Sequence, residues 1–222
     1  MAERKPPRRT RQRILETSLA LFNAHGEPNI TTADIADEMN ISPGNLYYHF
    51  RNKNDIIGEL YAMLEGEDAP LLALPEDRAA GVEDIWLLLH LLFERMREYR
   101  FFYRDLDDIT SRNRRVAVHF ADLTRRGEST MIELCRGLVA EGTMHASDSE
   151  IAALASNVTL VATYWMSYQR VTARHSNHAG GDADGSNPGR AVYQVLALIA
   201  PFLIGEGRAL IERLGEDYIE EA

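Results

Sequence analysis

The stretch Thr31–Lys53 constrains the fold more than any other part of the chain, because it predicts two short helices joined by a tight turn. Thr31 and Asp34 have the spacing of a capping box, in which each side chain binds the backbone N–H of the other residue. Asn40 tolerates the left-handed conformation that ends such a helix. Ser42-Pro43 is the pattern of an N-cap and a first helical residue, so a second helix starts there. The stretch therefore predicts a helix-turn-helix motif.

The second of these helices carries its hydrogen-bonding residues on the outside. Leu46 and Phe50 are four positions apart and define an inner apolar face. Gly44 lacks a side chain, so the start of the helix can approach a duplex closely and direct backbone N–H groups at phosphate oxygens. This pattern favours a helix that binds DNA, although each aromatic residue taken singly is also typical of an ordinary helical protein. The outer and flanking faces carry Gly44, Asn45, Tyr47, Tyr48 and His49.

The region from Ile14 to Leu60 resembles the N-terminal domain of the TetR family of bacterial transcriptional regulators. The resemblance covers about a fifth of the chain and is most specific in Leu46–Phe50 followed by Lys53. It implies an all-α protein with an N-terminal three-helix helix-turn-helix DNA-binding domain and a larger helical C-terminal domain for ligand binding and dimerisation. The other matching residues are Ala20-Leu21-Phe22, Gly26, Thr31-Thr32, Ile35-Ala36 and Ser42-Pro43-Gly44-Asn45.

Ten residues are candidates for contact with the major groove of double-stranded DNA. We expect the segment Ser42–Tyr47 to lie near base edges. The resemblance implies that four further side chains contact backbone phosphates, namely Thr32, Tyr48, His49 and Lys53. The full set is Thr31, Thr32, Ser42, Pro43, Gly44, Asn45, Tyr47, Tyr48, His49 and Lys53.

Charge is distributed unevenly along the chain. Residues 1–13 contain six Arg and Lys residues against one Glu, a net charge of +5. Since the net charge of the whole chain is −10, the remaining 209 residues carry a net charge of −15. A basic N-terminus can approach phosphates while an acidic body resists nonspecific coating of DNA. We expect residues 1–9 to form a disordered arm that lies along DNA, or else a solubilising tail, and a first helix to run from Thr10 to His25.

Composition indicates a soluble globular protein of the cytoplasm. The chain has 222 residues, 45% of them hydrophobic, and a single cysteine, Cys135. One cysteine excludes an internal disulfide framework and a cysteine-rich zinc site, so we expect a buried structural thiol. No apolar run follows the basic N-terminus and no window has the ~18 apolar residues of a membrane helix, so neither a signal peptide nor a membrane span is predicted.

Prolines, glycines and acidic residues between positions 65 and 84 mark a domain boundary. We predict a DNA-binding domain over residues 8–68 and an effector-binding and dimerisation domain over residues 82–222. Pro201 is expected to kink the last helix. Apolar periodicity predicts helices over Asn52–Leu64, Ile85–Tyr99, Arg112–Leu138, Ser147–Val171 and Gly189–Leu214.

Aromatic residues in the C-terminal part predict a cavity for a small, largely apolar organic effector. The alternative is that the same residues form a solid core. The basic cluster Arg112, Arg114 and Arg115 either holds an acidic group of such a ligand or is a solvated face. The six candidate ligand-binding residues are Trp86, His90, Phe93, Tyr99, Tyr103 and Trp165.

The last two long helices carry apolar stripes at alternating spacings of three and four residues. Such stripes favour a four-helix interface in a homodimer, and a two-fold protein matches a palindromic operator. The alternative is that each stripe packs within one subunit. The first stripe is Ile151, Leu154, Val158, Val161, Trp165 and Tyr168, and the second is Val192, Leu196, Ile199, Leu203, Leu210 and Leu214.

The remaining patterns predict no metal, cofactor or catalytic site. His175 and His178 are three positions apart, but they lie in a glycine-rich segment that provides no regular scaffold. Two classes of function remain: a repressor released from a palindromic operator by a small ligand, and an architectural or protein-recruiting DNA binder without an effector. A fillable aromatic cavity favours the first class. In that case the helix from Asn52 to Leu64 is expected to couple ligand and DNA.

Overall fold

The computed structural model describes residues 7–74, 80–173 and 188–220, and within these ranges the chain forms eleven α-helices and no β-sheet. The all-α class is therefore confirmed. Three short 3-10 segments, Glu27–Asn29, Ala69–Leu72 and Ala200–Phe202, join helices to one another. The helices are α1 (Pro7–His25), α2 (Thr32–Glu38), α3 (Pro43–His49), α4 (Lys53–Asp68), α5 (Val82–Glu98), α6 (Arg100–Arg104), α7 (Leu106–Arg112), α8 (Arg114–Ala140), α9 (Asp148–Ala173), α10 (Pro188–Ile199) and α11 (Gly205–Glu220).

The local signals around α2 and α3 act as the sequence predicts. Thr31 and Asp34 form both hydrogen bonds of the capping box at the start of α2. Asn40 has a φ of 52°, the left-handed conformation that turns the chain after α2. Ser42 Oγ accepts a hydrogen bond of 3.2 Å from the backbone N–H of Asn45, and Pro43 is the first residue of α3. The turn between the helices is thus determined by residues within it.

Helix α1 starts earlier than the sequence suggested. It begins at Pro7 rather than Thr10, so the expected arm over residues 1–9 is wrong for its last three residues. Proline is favoured in a first helical turn because its φ angle is already helical and its missing N–H has no partner there. Residues 1–6 lie outside the described ranges. The helix ends at His25, and Gly26 follows with a φ of 88°.

Pro201 separates two helices and does not kink a single one. Helix α10 ends at Ile199, a 3-10 turn covers Ala200–Phe202, and α11 begins at Gly205. Proline lacks the N–H of the α-helical ladder and its ring clashes with the preceding turn, which favours an end to the helix here. The chain then reverses, so that α11 packs against α10.

The predicted helix from Arg112 to Leu138 is two elements. Asn113 caps α8 by accepting a 3.3 Å hydrogen bond from the N–H of Val116, which leaves Arg112 in α7. Helix α8 then runs without a break past Gly127, which lies against Leu72 from the preceding 3-10 segment. Helix α4 is longer than expected and continues to Asp68.

The two apolar stripes pack mainly within a single chain. Helices α9 and α10 contact each other, and α10 also contacts α5 and α11. The predicted dimer seam is therefore wrong for the stripe residues that are buried within the chain, and for these the alternative of packing within one subunit holds. Only Tyr168 of the first stripe is largely exposed, at 59%. The stripe residues with at most 4% exposure are Ile151, Leu154, Val158, Val192, Leu196, Ile199 and Leu203.

The single cysteine of the chain belongs to the core. Cys135 is fully buried, and burial raises the pKa of its thiol to about 11, as expected for a structural cysteine.

Among the described residues, none of the helices combines the length and the apolar character that crossing a membrane requires.

Candidate DNA-binding surface and effector cavity

Helices α2 and α3 pack through their inner faces and leave the outer face of α3 open. Leu46 and Ile35 have no exposure, and Phe50 is 3% exposed. These contacts fix the orientation of α3, since its inner residues cannot leave the core without exposing apolar surface. The predicted inner face of α3 is therefore correct.

The candidate DNA-binding residues of α3 lie on the exposed side. Ser42, Pro43, Gly44 and Asn45 are exposed, and a side chain at Gly44 would meet only Ser42 Oγ at 3.9 Å. Nothing in the described chain therefore prevents a close approach of DNA at this point.

Two tyrosines continue this surface along α3. Tyr47 is 50% exposed and Tyr48 is 78% exposed, while His49 is half-buried. The hydroxyl of Tyr47 lies 3.0 Å from Thr32 Oγ1 on α2. This hydrogen bond orients Tyr47 and makes the two helices one continuous polar surface.

Lys53 has a different environment from the other candidates. Its ammonium donates to the backbone carbonyls of Glu27 at 2.9 Å and Ile30 at 2.8 Å, and it pairs with Glu27 Oε1 at 2.8 Å. A lysine ammonium has three donors. Two of them bind backbone carbonyls and the ammonium is also paired with a carboxylate, so a phosphate would compete with an existing set of contacts.

The carboxylate of Glu27 connects the N-terminal domain to the rest of the chain. It has no solvent exposure, and its second oxygen accepts a 2.5 Å hydrogen bond from Arg112 of α7. Arg112 also pairs with Asp108 at 2.7 Å. Because a buried charge is stable only when it is paired, Glu27 holds α4 and α7 against the segment between α1 and α2.

Helix α6 makes a second set of contacts with the N-terminal domain. Arg104 donates to the carbonyl of Phe22 at 2.7 Å, at the end of α1. The side chain of Asn23 donates to the carbonyl of Glu98 at 2.7 Å and accepts from the N–H of Phe101 at 3.0 Å. Sequence reasoning missed these residues, because nothing in the local pattern distinguishes them from surface polar residues.

The C-terminal part contains an apolar cavity of about 80 Å³ between α4, α5, α6, α8 and α9. Its aromatic walls are Tyr103 and Phe120, whose ring centroids are 6.4 Å apart. Leu, Met and Val side chains provide most of the remaining surface. The polar side chains among the lining residues are Asp68, Tyr103, Thr124, Thr159 and Thr163.

Asp68 is the charged residue of this cavity wall. Its side chain is 2% exposed, and Oδ1 has no hydrogen-bond partner among the described residues. Burial raises the pKa of the carboxyl group to about 7, although the positive charge of Arg95 acts in the opposite direction. Removing a carboxylate from water without a partner favours its neutral form, which explains the direction of the shift.

The cavity lies elsewhere than most of the predicted ligand residues. Of the six, Tyr103 lines it. Trp86 stacks on His90 at 5.5 Å, and His90 Nδ1 lies 2.8 Å from the hydroxyl of Tyr218. Phe93 and Tyr99 are each 2% exposed and belong to the core. Trp165 lines a separate groove between α9, α10 and α11.

The basic cluster also lies away from the apolar cavity. Arg112, Arg114 and Arg115 line an open polar groove of about 520 Å³ between the N-terminal domain and α8. Arg112 is already paired with Glu27 and Asp108. The cluster therefore cannot hold a polar group of a molecule bound in the cavity.

Candidate metal ligands are not brought together in the part of the chain that the structure describes. No group of three or more His, Cys, Asp or Glu residues there has the arrangement of a metal site. His175 and His178 lie outside the described residues.

Comparison with known proteins decides the family. The sequence profile "Bacterial regulatory proteins, tetR family" matches residues 14–60, and the profile "Bacterial transcriptional repressor" matches residues 65–211. A solved TetR-family transcriptional regulator from Marinobacter aquaeolei is 37% identical, with a TM-score of 0.82, over 94% of this chain and 98% of that one. The chain belongs to the TetR family of bacterial transcriptional regulators.

Other similar proteins match less of the chain or share less sequence. The probable acrEF/envCD operon repressor of Escherichia coli is 33% identical over 90 residues, which cover 40% of this chain and 37% of that protein. The matches to the first curated relatives thus span less than half of each relative. A putative regulator from Saccharomonospora viridis, solved with choline, is 21% identical with a TM-score of 0.70, covering 89% of this chain and 99% of that one.

Proposed function

We propose that this TetR-family regulator is a dimeric repressor that binds a palindromic operator and is released from it by a small, largely apolar organic molecule. The proposal of DNA binding is carried by the geometry of α3, whose inner face is buried while its polar outer face is exposed. The cavity between α4, α5, α6, α8 and α9 supports the effector part, because an architectural DNA binder needs no fillable space in its core.

The proposed DNA contacts follow the exposure of each side chain. Ser42, Pro43, Gly44, Asn45 and Tyr47 face base edges in the major groove, where the amide of Asn45 suits adenine. Phosphate contacts come from the flanking residues Thr31, Thr32, Tyr48 and His49. Lys53 acts through Glu27, because its ammonium already binds two backbone carbonyls and this carboxylate within the protein.

The proposed dimer interface is the exposed apolar face of α9. Leu160, Tyr164, Tyr168 and Val171 are separated by four, four and three positions, so they lie along one side of the helix. Each is between 43% and 61% exposed. A row of large apolar residues on a soluble protein marks an interaction surface, and the same face on two copies satisfies two-fold symmetry.

The proposed switch runs through two helices that contact both the cavity and the N-terminal domain. Tyr103 of α6 lines the cavity, and its neighbour Arg104 binds the end of α1. Asp68 at the end of α4 lines the cavity, and the first residue of α4 is Lys53. A ligand that displaces Tyr103 or Asp68 therefore changes the position of α3 relative to the second subunit. Release requires that the ligand binds the two arrangements with different affinity.

The test combines native mass spectrometry with DNA binding. Any compound that co-purifies with the dimer is identified and added to the protein–operator complex, with fluorescence anisotropy as the measurement. Thr163→Phe fills the cavity, so we expect this variant to bind the operator normally and to resist release. Val118→Phe places the same side chain on an exposed site of α8 and should behave as wild type. If the compound leaves DNA affinity unchanged in every variant, the effector proposal fails and the architectural alternative replaces it.

A further inference from the structure

We propose that the cavity binds a compact hydrophobic organic cation with an ammonium group, and that Asp68 is the counter-ion of that group. This inference rests on the proposed function, since it names the chemical class of the effector for the same cavity. Three properties of the cavity wall support it: the buried carboxylate, the arginine that forms no ion pair with it, and the chemistry of the remaining surface.

Asp68 is a buried carboxylate without a local partner. It is the last residue of α4, it is 2% exposed, and its Oδ1 accepts no hydrogen bond from the described residues. Buried charges in proteins are normally paired or bind a ligand, because an unpaired charge in an apolar site is destabilising. An unpaired carboxylate that lines an apolar cavity is therefore a site for a positive group.

Arg95 acts on Asp68 from a distance but forms no ion pair with it. Its Nη1 atom pairs with Glu67 at 3.0 Å and with Glu98 at 2.6 Å, so two closer carboxylates already share its charge. Among the described residues, no Lys, Arg or His nitrogen forms an ion pair with Asp68. The carboxylate of Asp68 thus has no direct counter-ion among the described residues.

The rest of the wall suits the hydrocarbon part of a cation. The rings of Tyr103 and Phe120 lie on the cavity surface, and aromatic faces attract ammonium groups. The threonines can bind a single N–H or O–H group and carry no charge. An anionic ligand would be repelled by ionised Asp68, and a neutral ligand would leave the charge of the carboxylate uncompensated. A cation alone satisfies both parts of the site.

Cation binding is expected to depend on pH through Asp68. Burial raises the pKa of this carboxyl group to about 7, so the empty cavity holds a mixture of both forms at neutral pH. The other titratable groups that interact with it are Glu67, Arg95, Tyr61, Tyr99 and Tyr103. A cation favours the ionised form, so below about pH 7 its binding releases the carboxyl proton to solvent. Affinity for a cation should therefore rise from pH 6 to pH 8.

The experiment compares two probes of the same shape on the full-length protein without DNA. At pH 8, 3-methylbutylamine is a cation and 3-methylbutan-1-ol is neutral, and both have six non-hydrogen atoms, a size that suits a cavity of this volume. Dissociation constants are measured by ligand-observed NMR. We expect the wild type to bind the amine at least about tenfold more tightly than the alcohol, which corresponds to ~1.4 kcal/mol. The preference should shrink at pH 6.

Asp68→Asn is the decisive variant and Asp107→Asn is its control. Both remove one carboxylate, but Asp107 is exposed on α7, away from the cavity. We expect Asp68→Asn to bind amine and alcohol equally at both pH values and Asp107→Asn to behave as wild type. Equal affinity of the wild type for the two probes, no binding of the amine, or a preference that survives Asp68→Asn would each overturn the inference.

The outcome is separable from that of the proposed function. If the amine binds through Asp68 without releasing operator DNA, the cation site stands and the switch fails. If a neutral or anionic co-purifying compound releases DNA, the switch stands and the cation site is wrong.

Discussion

The ammonium of Lys53 lies 2.8 Å from Oε1 of Glu27, a carboxylate with no exposure to solvent. This pair joins the first turn of α4 to the segment between α1 and α2. Arg112 from α7 binds the other oxygen of the same carboxylate. One buried side chain therefore links the helix that follows α3 with the C-terminal part of the chain, and the role of Lys53 has to be considered with its partner.

Lys53→Ala should reduce stability, whatever it does to DNA binding. Breaking a buried ion pair typically costs about 3–5 kcal/mol because one charge remains unpaired. Arg112 still pairs with Glu27, so we expect a smaller loss of about 2–3 kcal/mol. Thermal unfolding measures this loss, and Arg51→Ala, an exposed neighbour, serves as the control. An unchanged melting temperature together with weaker binding to all DNA sequences would support a direct phosphate contact by Lys53 instead.

Asp68→Asn should stabilise the free protein at high pH. The carboxyl group has a raised pKa of about 7 in the folded state, so the folded chain binds this proton more tightly than the unfolded chain. The loss of stability caused by ionised Asp68 therefore grows from about pH 4 to pH 7 and is constant above pH 7. Asparagine removes the effect, and we expect a gain of about 2 kcal/mol at pH 8, or roughly 4–8 °C in Tm. The gain should disappear near pH 4, and an equal gain at both pH values would contradict the assigned cause.

Leu160→Arg should dissociate the proposed dimer. Leu160 is 59% exposed on the apolar face of α9, and an arginine there would face its own copy across a two-fold axis. Sedimentation velocity should show a monomer with an unchanged helical spectrum, and operator affinity should fall at least about a hundredfold, because both half-sites are needed. Val118→Arg, at a site of similar exposure on α8, is the matched control. A dimeric Leu160→Arg protein would exclude this face of α9 as the interface.

The helix-turn-helix could be predicted from sequence because its determinants are local. Thr31, Asp34 and Ser42 form the expected hydrogen bonds with residues three positions away in sequence. Asn40 adopts the expected left-handed conformation. The end of the last long helix shows the limit of such signals. Pro201 indicated a disruption, but the choice between a kink and a chain reversal depends on packing against other helices.

The cavity could not be located from sequence because its position is a tertiary property. The middle of α5 is apolar nearly all round. Periodicity therefore does not show that Leu88 and Leu89 face the cavity while Trp86 stacks on His90 outside it. Asp68 stands in an acidic run that is typical of a solvated surface. Glu27 follows a helix-ending glycine, in a segment whose composition is that of an ordinary turn. Burial distinguishes these carboxylates, and burial depends on residues far away in sequence.

Selection of binding sites from a random duplex DNA library tests the central claim most directly. The wild-type protein should enrich inverted repeats whose half-sites are separated by about one helical turn, ~34–36 Å, or a multiple of it. Asn45→Ala should enrich the same spacing with relaxed base preference inside each half-site, since one base contact costs about 1–3 kcal/mol of discrimination. Enrichment of unpaired or asymmetric sites, or an identical preference for both proteins, would contradict a dimer that reads DNA through α3.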